Sequence, residues 1–555
     1  MIDERPTFER IAAFAANICV IGAGPAGIIT ALELANKGER VLLLESGGRN
    51  SCQKVQDLQT AENLNPDHHH DPRTTVARRL GGTSNLWGGR CLPHDPVDFQ
   101  DRPWISQSRW PVCEADLALY QEKACIKLGA GHGNFSSQLP DVAADDAFSA
   151  DSLERWSNVP RMQVLHKAAL EQHPNLCVVL GATALGFEYD GAGRIAAIET
   201  HLESHGKGRI AVSHVILAAG GNESTRLLLA EQRKYPGLFG VELGRNYMGH
   251  VNGCIADINF TNTAFHDGLD FHADENGSYV RRRIMPSAET QAAHKLANVA
   301  FWPVVPEIAD PAHQCGPLSA VFLALSIAPI GRRLLAEPMR LKHVGEAPYQ
   351  RLAHIGNMLR DPLNTIGFAP WFLWKTKIAK PRLPGLFIKN PAQRYGLEYH
   401  SEHLPSPDSR LTLSDESDRL GLPRLKIDLR FSDADAASVV RAHDAIEAWL
   451  ARNRLASLTY RMPAGARAQS VLDQAKHGAH QIGTIRMGAS RLDGVVDGNC
   501  RAFDVPNLHV VSTAVLRTSS HGNPTMTAVQ LGLRLADEWA MALRQQPLGQ
   551  VRRLA

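Results

Sequence analysis

The stretch Asn17-Ile-Cys-Val-Ile-Gly-Ala-Gly-Pro-Ala-Gly27 constrains this chain more than any other. An apolar run enters a Gly22-x-Gly24-x-x-Gly27 turn, and a helix-like segment follows. Val41-Leu-Leu-Leu-Glu45 then reads as a second strand with an acid at its tip. Gly22 permits the tight turn. Gly24 lets backbone approach a pyrophosphate at the positive end of the following helix, which Pro25 and Ala26 open, and Gly27 lets that helix pack closely on the strand. Glu45 stands 23 residues after Gly22, near the offset at which a carboxylate binds ribose hydroxyls. A glycine-rich turn with no ligand would leave Glu45 unexplained. An acid there disfavours a 2′-phosphate, so the pattern predicts FAD or NAD rather than NADP.

A chain of 555 residues exceeds one ordinary core, so two or more domains are expected. A net charge of +2 makes no global electrostatic case for nucleic acid. The nine cysteines are scattered without a Cys-x-x-Cys pair and read as reduced thiols rather than a disulfide or zinc framework. The start of the chain lacks the basic and apolar regions of a signal peptide, and no run of about 18 apolar residues occurs. A cytoplasmic enzyme is therefore expected. The run Asp67-His-His-His-Asp71 reads as a solvated loop in preference to a metal site.

Further along, 184–189 and 194–200 read as a hairpin, 214–221 as a buried strand entering a glycine turn, and 224–231 as a helix. Ala434–Leu455 and Met526–Leu543 read as helices, and Leu508–Ser512 as a strand. Residues 331–382 hold ten Lys/Arg against three acids, a net +7, together with Trp371-Phe-Leu-Trp374. A lid or subunit contact with a solvated basic side is the preferred reading. Peripheral contact with an anionic membrane is the alternative.

Six phrases taken together resemble the glucose–methanol–choline (GMC) oxidoreductases. They are the opening dinucleotide motif; Leu80-Gly-Gly-Thr-Ser-Asn-Leu-Trp-Gly-Gly89; Ala218-Ala-Gly-Gly221 with Arg226-Leu-Leu; Ser406-Pro-Asp-Ser-Arg-Leu-Thr412; His480-Gln-Ile-Gly-Thr-Ile-Arg-Met487; and Asn523-Pro-Thr-Met-Thr527. The resemblance implies an α/β fold. A discontinuous Rossmann-like FAD-binding domain would comprise 1–100, 160–260 and 475–545. An α+β substrate domain with a mixed or antiparallel sheet would be built from 101–159 and 261–474. It also implies FAD as cofactor. Gly82, Thr83, Asn85 and Gly88 of the second glycine loop, Ala219 and Gly220, Ala514, and Asn523 and Thr525 would touch it. Relatives that bind flavin covalently use a His in the second glycine loop, and the comparable position here is Leu86, so noncovalent FAD is expected.

Oxidising an alcohol requires a base within reach of the hydroxyl and a hydride acceptor facing the carbon. By the resemblance His480 is that base and Asn523 orients the substrate oxygen, with His521 as a competing candidate. Asp497 and Asn499 are expected to turn the chain beneath the flavin. His477 and His480 could pair as metal ligands, but glycines weaken a helix there and no acid or Cys completes the set, so no metal is expected. Ser519-Ser-His521 invites a hydrolase reading, but no Gly-x-Ser-x-Gly elbow occurs.

The expected substrate is a sugar, glycoside or polyol, argued from the polar loop 90–99 with Trp104 and Trp110. An aliphatic or sterol-like alcohol, with electrons passed to a quinone, is the alternative; a non-redox lyase of the same fold is another. The electron acceptor, O2, quinone or other, lies outside the chain.

Overall fold

The computed structural model describes residues 1–139, 146–334, 343–345, 348–385 and 387–545. The opening unit becomes the centre of a six-stranded, wholly parallel sheet. Its order is Ile2–Asp3, Leu176–Leu180, Val41–Glu45, Ile18–Ile21, His214–Leu217 and Leu508–Val510. Such strands are covered on both faces, which explains their near-continuous apolar runs. Alternate residues feed two different cores. Ile18, Val20, Val41 and Leu43 pack on the helices Pro25–Asn36 and Thr525–Gln545. Cys19, Ile21, Leu42 and Leu44 pack against Phe187, Ile198 and Leu202 of a three-stranded antiparallel sheet.

Ile18–Ile21 has Val41–Glu45 on one side and His214–Leu217 on the other. Strand order therefore reverses beside Gly22, and the carboxyl ends of an open parallel sheet bind ligands at such a reversal. The closeness there is enforced by backbone: a Cβ on Gly22 (φ +105°) would lie 2.6 Å from the Ala218 carbonyl oxygen, and one on Gly27 would lie 1.9 Å from the Gly22 oxygen.

The second large sheet is antiparallel. It runs Ala456–Tyr460, His250–Phe260, Arg394–Glu402, Val299–Val304, Tyr279–Pro286, Phe148–Trp156 and Arg90–Cys91, with His272–Ala273 paired beside Tyr279–Pro286. The helix Asp433–Arg452 starts at a Ser432/Asp435 capping box and lays Ala436, Val439, Ile446 and Trp449 on this sheet's Val251, Ile255 and Tyr399. The architecture is thus a Rossmann-like α/β domain joined to an α+β domain.

The domain boundary differs from the sequence expectation at two places. His250–Phe260, grouped above with the nucleotide-binding segments, hydrogen-bonds inside the second sheet, and Arg90–Cys91 forms that sheet's edge. Apolar alternation identifies a strand but carries no record of which partner it pairs with.

Between the neighbouring strands Val299–Val304 and Arg394–Glu402 the chain makes a helical excursion. It contains Gly316–Ser326, Ala328–Leu334, Arg351–Arg360, Pro362–Leu373 and a π-turn at Trp374–Ile378. Among the described residues no helix is long and apolar enough to cross a membrane.

Candidate active site

A cavity of about 420 Å³ opens at the strand-order reversal. Its wall is assembled from the turn 22–26, Glu45, the segments 74–78, 82–84 and 86–87, residues 218–221, Ala479–Gln481, Val511–Thr513 and Asn523–Thr525. Gly24 caps the helix Pro25–Asn36 and Gly220 caps Gly221–Lys234; a Cβ on either would meet nothing within 4 Å. The first helix receives no side-chain cap and has no acid in its first turn. Its unpaired N–H groups and dipole therefore favour an anion in the cavity.

Glu45 is fixed in the wall by accepting from the backbone N–H of Ala23 (3.1 Å) and of Gly47 (2.9 Å). Burial raises its pKa, opposed by those bonds and by Arg78. Each oxygen retains a lone pair for a ribose hydroxyl. Open glycines, an uncapped helix N-terminus and a carboxylate at the strand tip fit a dinucleotide cofactor.

Gly22, Gly24, Pro25, Ala26, Glu45, Gly82, Thr83, Ala219, Gly220, His480, Asn523 and Thr525 all line the cavity. Gly27, Asn85, Gly88 and Ala514 stand outside its wall, and each has a reason. Gly27 serves the helix–strand contact described above. Asn85 braces its own loop, donating to the carbonyls of Leu80 (3.1 Å) and Gly82 (2.8 Å) and accepting from Gln163 (2.7 Å). Gly88 is exposed. Ala514 is fully buried, its N–H donated to Ser512 Oγ; Ser512 and Thr513 reach the cavity instead. Asp497 does turn the chain, accepting from the N–H groups of Asn499 and Arg501, but neither it nor Asn499 lines the cavity.

His480 is half-buried in the wall, and its ring is held from the opposite domain. Its Nδ1 lies 2.9 Å from Nδ1 of His250, the first residue of the strand His250–Phe260. His250 Nε2 lies 3.2 Å from the Ser519 carbonyl oxygen. A carbonyl only accepts, so His250 Nε2 carries the proton and its Nδ1 is bare. His480 Nδ1–H must then be the donor, which leaves His480 Nε2 with a free lone pair. Both rings are held neutral. Burial, then the Arg90 guanidinium, push His480 down to about 3. Burial and the neighbouring histidines His400, His480, His477 and His521 put His250 well below the usual range. Arg90 itself pairs with Glu154 and stacks 4.6 Å over the Trp302 ring.

His250, His400 and His477 each place a ring nitrogen within 4.8 Å of the others, all buried. Yet both nitrogens of His250 are already engaged, and His400 Nδ1 bonds the His521 carbonyl. Arg90 adds positive charge beside His400. The group is a stack of neutral rings behind His480, with the His250 and His400 ring centroids 4.7 Å apart and their planes 19° from parallel.

Several sequence expectations change here. His521 is fully buried away from the wall, its Nε2 2.8 Å from Asp95 and 2.6 Å from Arg283. Asn523, not His521, is the residue in the cavity. The run Asp67–Asp71 is not simply solvated: His69 is buried with Nε2 2.9 Å from the Tyr247 hydroxyl, and its backbone bridges to His477. Trp110 and Trp104 are structural, their indole N–H groups donated to Thr518 Oγ1 and the Leu296 carbonyl. His94, in the loop 90–99, is buried with Nδ1 2.9 Å from Thr527 Oγ1. The expected sugar-binding surface on these residues is therefore occupied by packing. His250 and His400 were not anticipated, and Arg90, expected in a substrate loop, lies beside His400 and His480 instead. All three lie far from His480 in sequence, and only the antiparallel pairing of two strands brings the histidines to it.

The likeness to known proteins agrees with this geometry. The GMC oxidoreductase family model matches residues 405–532. Paromamine 6′-oxidase of Streptomyces fradiae is 21% identical, over 94% of this chain and 90% of that protein. The fructose dehydrogenase large subunit of Gluconobacter japonicus is 21% identical, over 96% and 98%. The crystal structure of pyridoxine 4-oxidase from Mesorbium loti superposes with a TM-score of 0.50 at 16% identity, covering 95% of this chain and 99% of that one; at that identity the likeness is one of fold.

Proposed function

We propose that this chain, which belongs to the GMC oxidoreductases, oxidises a CH–OH group of a sugar, glycoside or polyol to a carbonyl, with FAD held noncovalently in the cavity. The observation that carries the reading is that His480, whose Nε2 is left bare by its bond to His250, lines the same cavity as Asn523. His480 Nε2 accepts the hydroxyl proton. The proton on its Nδ1 stays on the hydrogen bond to His250, so the ring need not turn during the step. The Asn523 amide donates to the substrate oxygen and orients it. Bound FAD supplies the hydride acceptor for the carbon.

Gly24, Gly220 and the uncapped helix Pro25–Asn36 would take the diphosphate, and Glu45 the ribose hydroxyls. Leu86 lines the cavity and has no nucleophile with which to bond a flavin, which supports noncovalent attachment. Support for a carbohydrate-like substrate comes from two relatives named for paromamine and fructose, no longer from Trp104 and Trp110. Reoxidation is assigned to an external acceptor.

The test is anaerobic. The purified yellow protein is mixed with sugars, glycosides, polyols and aliphatic alcohols, and the oxidised flavin band at about 450 nm is followed. Bleaching by the sugar-like group is expected. Bleaching only by aliphatic alcohols would move the substrate class. No bleaching by any alcohol, with full bleaching by dithionite, would favour the non-redox reading. Acid precipitation should release the flavin into the supernatant; flavin remaining with the pellet would overturn noncovalent attachment.

A further inference from the structure

The helical excursion between Val299–Val304 and Arg394–Glu402 breaks the usual pattern of a surface helix. Such a helix buries one apolar stripe and shows a polar face. Pro362–Leu373 reads Pro-Leu-Asn-Thr-Ile-Gly-Phe-Ala-Pro-Trp-Phe-Leu and has no buried residue. Leu363 is 85% exposed and Ile366 75%. Trp371, Leu373, Trp374 and Ile378 continue the exposed apolar surface, and Leu352, Ile355 and Leu359 extend it from the helix Arg351–Arg360. Single exposed apolar side chains are ordinary; a contiguous group on two neighbouring helices marks a surface that meets something else.

Charge identifies the partner. Residues 331–382 carry +7 in a chain whose total is +2, so all other residues together sum to −5. The basic residues also follow the apolar helix in sequence: Trp374 is succeeded by Lys375, Lys377, Lys380 and Arg382. An apolar body, a pair of tryptophans and then a lysine-rich end is the order that suits entry into acyl chains, the headgroup boundary and anionic phosphates. The exposure covers most of the helix: residues 362, 363, 364, 366, 367, 369, 370, 371 and 373 are all exposed, and only the stripe Thr365, Phe368 and Phe372 is half-buried, with Phe368 packed against Cys315 and Leu318. That one stripe anchors the helix to the body, and an apolar surface as wide as the remainder suits a bilayer, which solvates the whole outward side of a helix lying in it. Twelve residues span about 18 Å, short of a hydrocarbon core of about 30 Å, so the segment enters one leaflet rather than crossing.

We propose that this excursion is a peripheral membrane-docking surface, with the helix Pro362–Leu373 seated in the interface of an anionic bilayer. Docking and catalysis are separable, because no residue of 351–382 lines the catalytic cavity.

The test uses the flavin-loaded full chain and sedimentation with vesicles of phosphatidylcholine, alone or mixed with phosphatidylglycerol. Pelleting with the mixed vesicles, weaker with the neutral ones and falling as salt rises, is expected. Leu363→Glu with Ile366→Glu should weaken that binding about tenfold or more, and Lys375→Glu with Lys380→Glu should do so for anionic vesicles, roughly fivefold for each charge removed. Flavin content, Tm and alcohol-dependent bleaching should stay at the parent level in both variants, which separates lost docking from lost folding. No pelleting with anionic vesicles, or pelleting indifferent to both pairs of substitutions, would overturn the proposal. A dimer in light scattering that Leu363→Glu with Ile366→Glu dissociates, without vesicle binding, would assign the surface to a second copy of the chain and equally overturn it.

Discussion

Replacing His250 by Phe tests whether the base owes its competence to a neighbour in the other domain. Phe keeps an aromatic ring in the stack with His400 but removes both nitrogens. His480 Nδ1–H, now donated to His250 at 2.9 Å, then has no acceptor. Leaving a buried donor unpaired costs about 1–3 kcal/mol. The ring can avoid that cost by moving its proton to Nε2, but the lone pair proposed to take the substrate proton is then lost. Either route adds about 1–3 kcal/mol to reach the reactive arrangement, which is roughly 5- to 160-fold in rate at 1.36 kcal/mol per decade. The assay is anaerobic stopped-flow reduction of the flavin at saturating substrate, with flavin content and Tm measured in parallel. His250→Gln, whose amide oxygen can accept from Nδ1–H, should recover part of the rate. A Phe variant that reduces its flavin within about twofold of the parent, under about 0.4 kcal/mol, would refute the reasoning: His480 would then not depend on His250 for its tautomer.

Other outcomes follow from the same geometry. His480→Ala should keep its bound, yellow flavin and lose about 10²- to 10⁴-fold in flavin reduction; near-parental reduction would remove His480 as the base. A base acts when deprotonated, so its activity is lost as pH falls through its pKa. With His480 held down to about 3, kcat/KM should show no acid limb from this group near pH 6.5, the value of a free imidazole; a limb there that His480→Ala abolishes would contradict the assignment. His94 and His443, both buried and lowered to about 4, bind protons more readily when unfolded. The stability they contribute is full above about pH 6.5 and declines as pH falls toward 4, so Tm should drop across that window, and a flat Tm would count against it. Gly27→Ala places a Cβ 1.9 Å from the Gly22 oxygen and should yield protein with little flavin and a lowered Tm; normal flavin content would show that the helix can shift away.

Much of the nucleotide-binding half was legible because its signals are local. A turn, a strand and a helix within 30 residues declare themselves by glycine spacing and apolar runs, and Gly22, Gly24 and Glu45 all sit in the cavity wall. The loop 81–89 was only half legible. Gly82 and Thr83 face the cavity while Asn85 turns back on its own backbone, and nothing in residue type separates a side chain that meets a ligand from one that braces the loop. The misreadings concern burial. Trp104 and Trp110 suit a sugar on chemical grounds, and His69 lies in a polar run, yet each is packed against groups hundreds of residues away or nearly so. Sequence proximity says nothing about those partners.

The least legible part is the one that sets the tautomer of His480. Its neighbour His250 heads a strand of the antiparallel sheet, and His400 lies on the adjoining strand, paired with Asn252 across the ladder. His480 itself comes from the segment leading back to the parallel sheet. The hydrogen bond that keeps its Nε2 bare therefore exists only when the two domains are apposed. Its far end, the Ser519 carbonyl, lies on the chain four residues before Asn523, so one short segment fixes both the tautomer of His480 and the position of Asn523, the pair proposed to act on the substrate. A change that loosens the contact between the domains should thus impair proton abstraction before it releases the cofactor, because Gly24, Glu45 and Gly220 all belong to the parallel-sheet domain and the orientation of His480 does not.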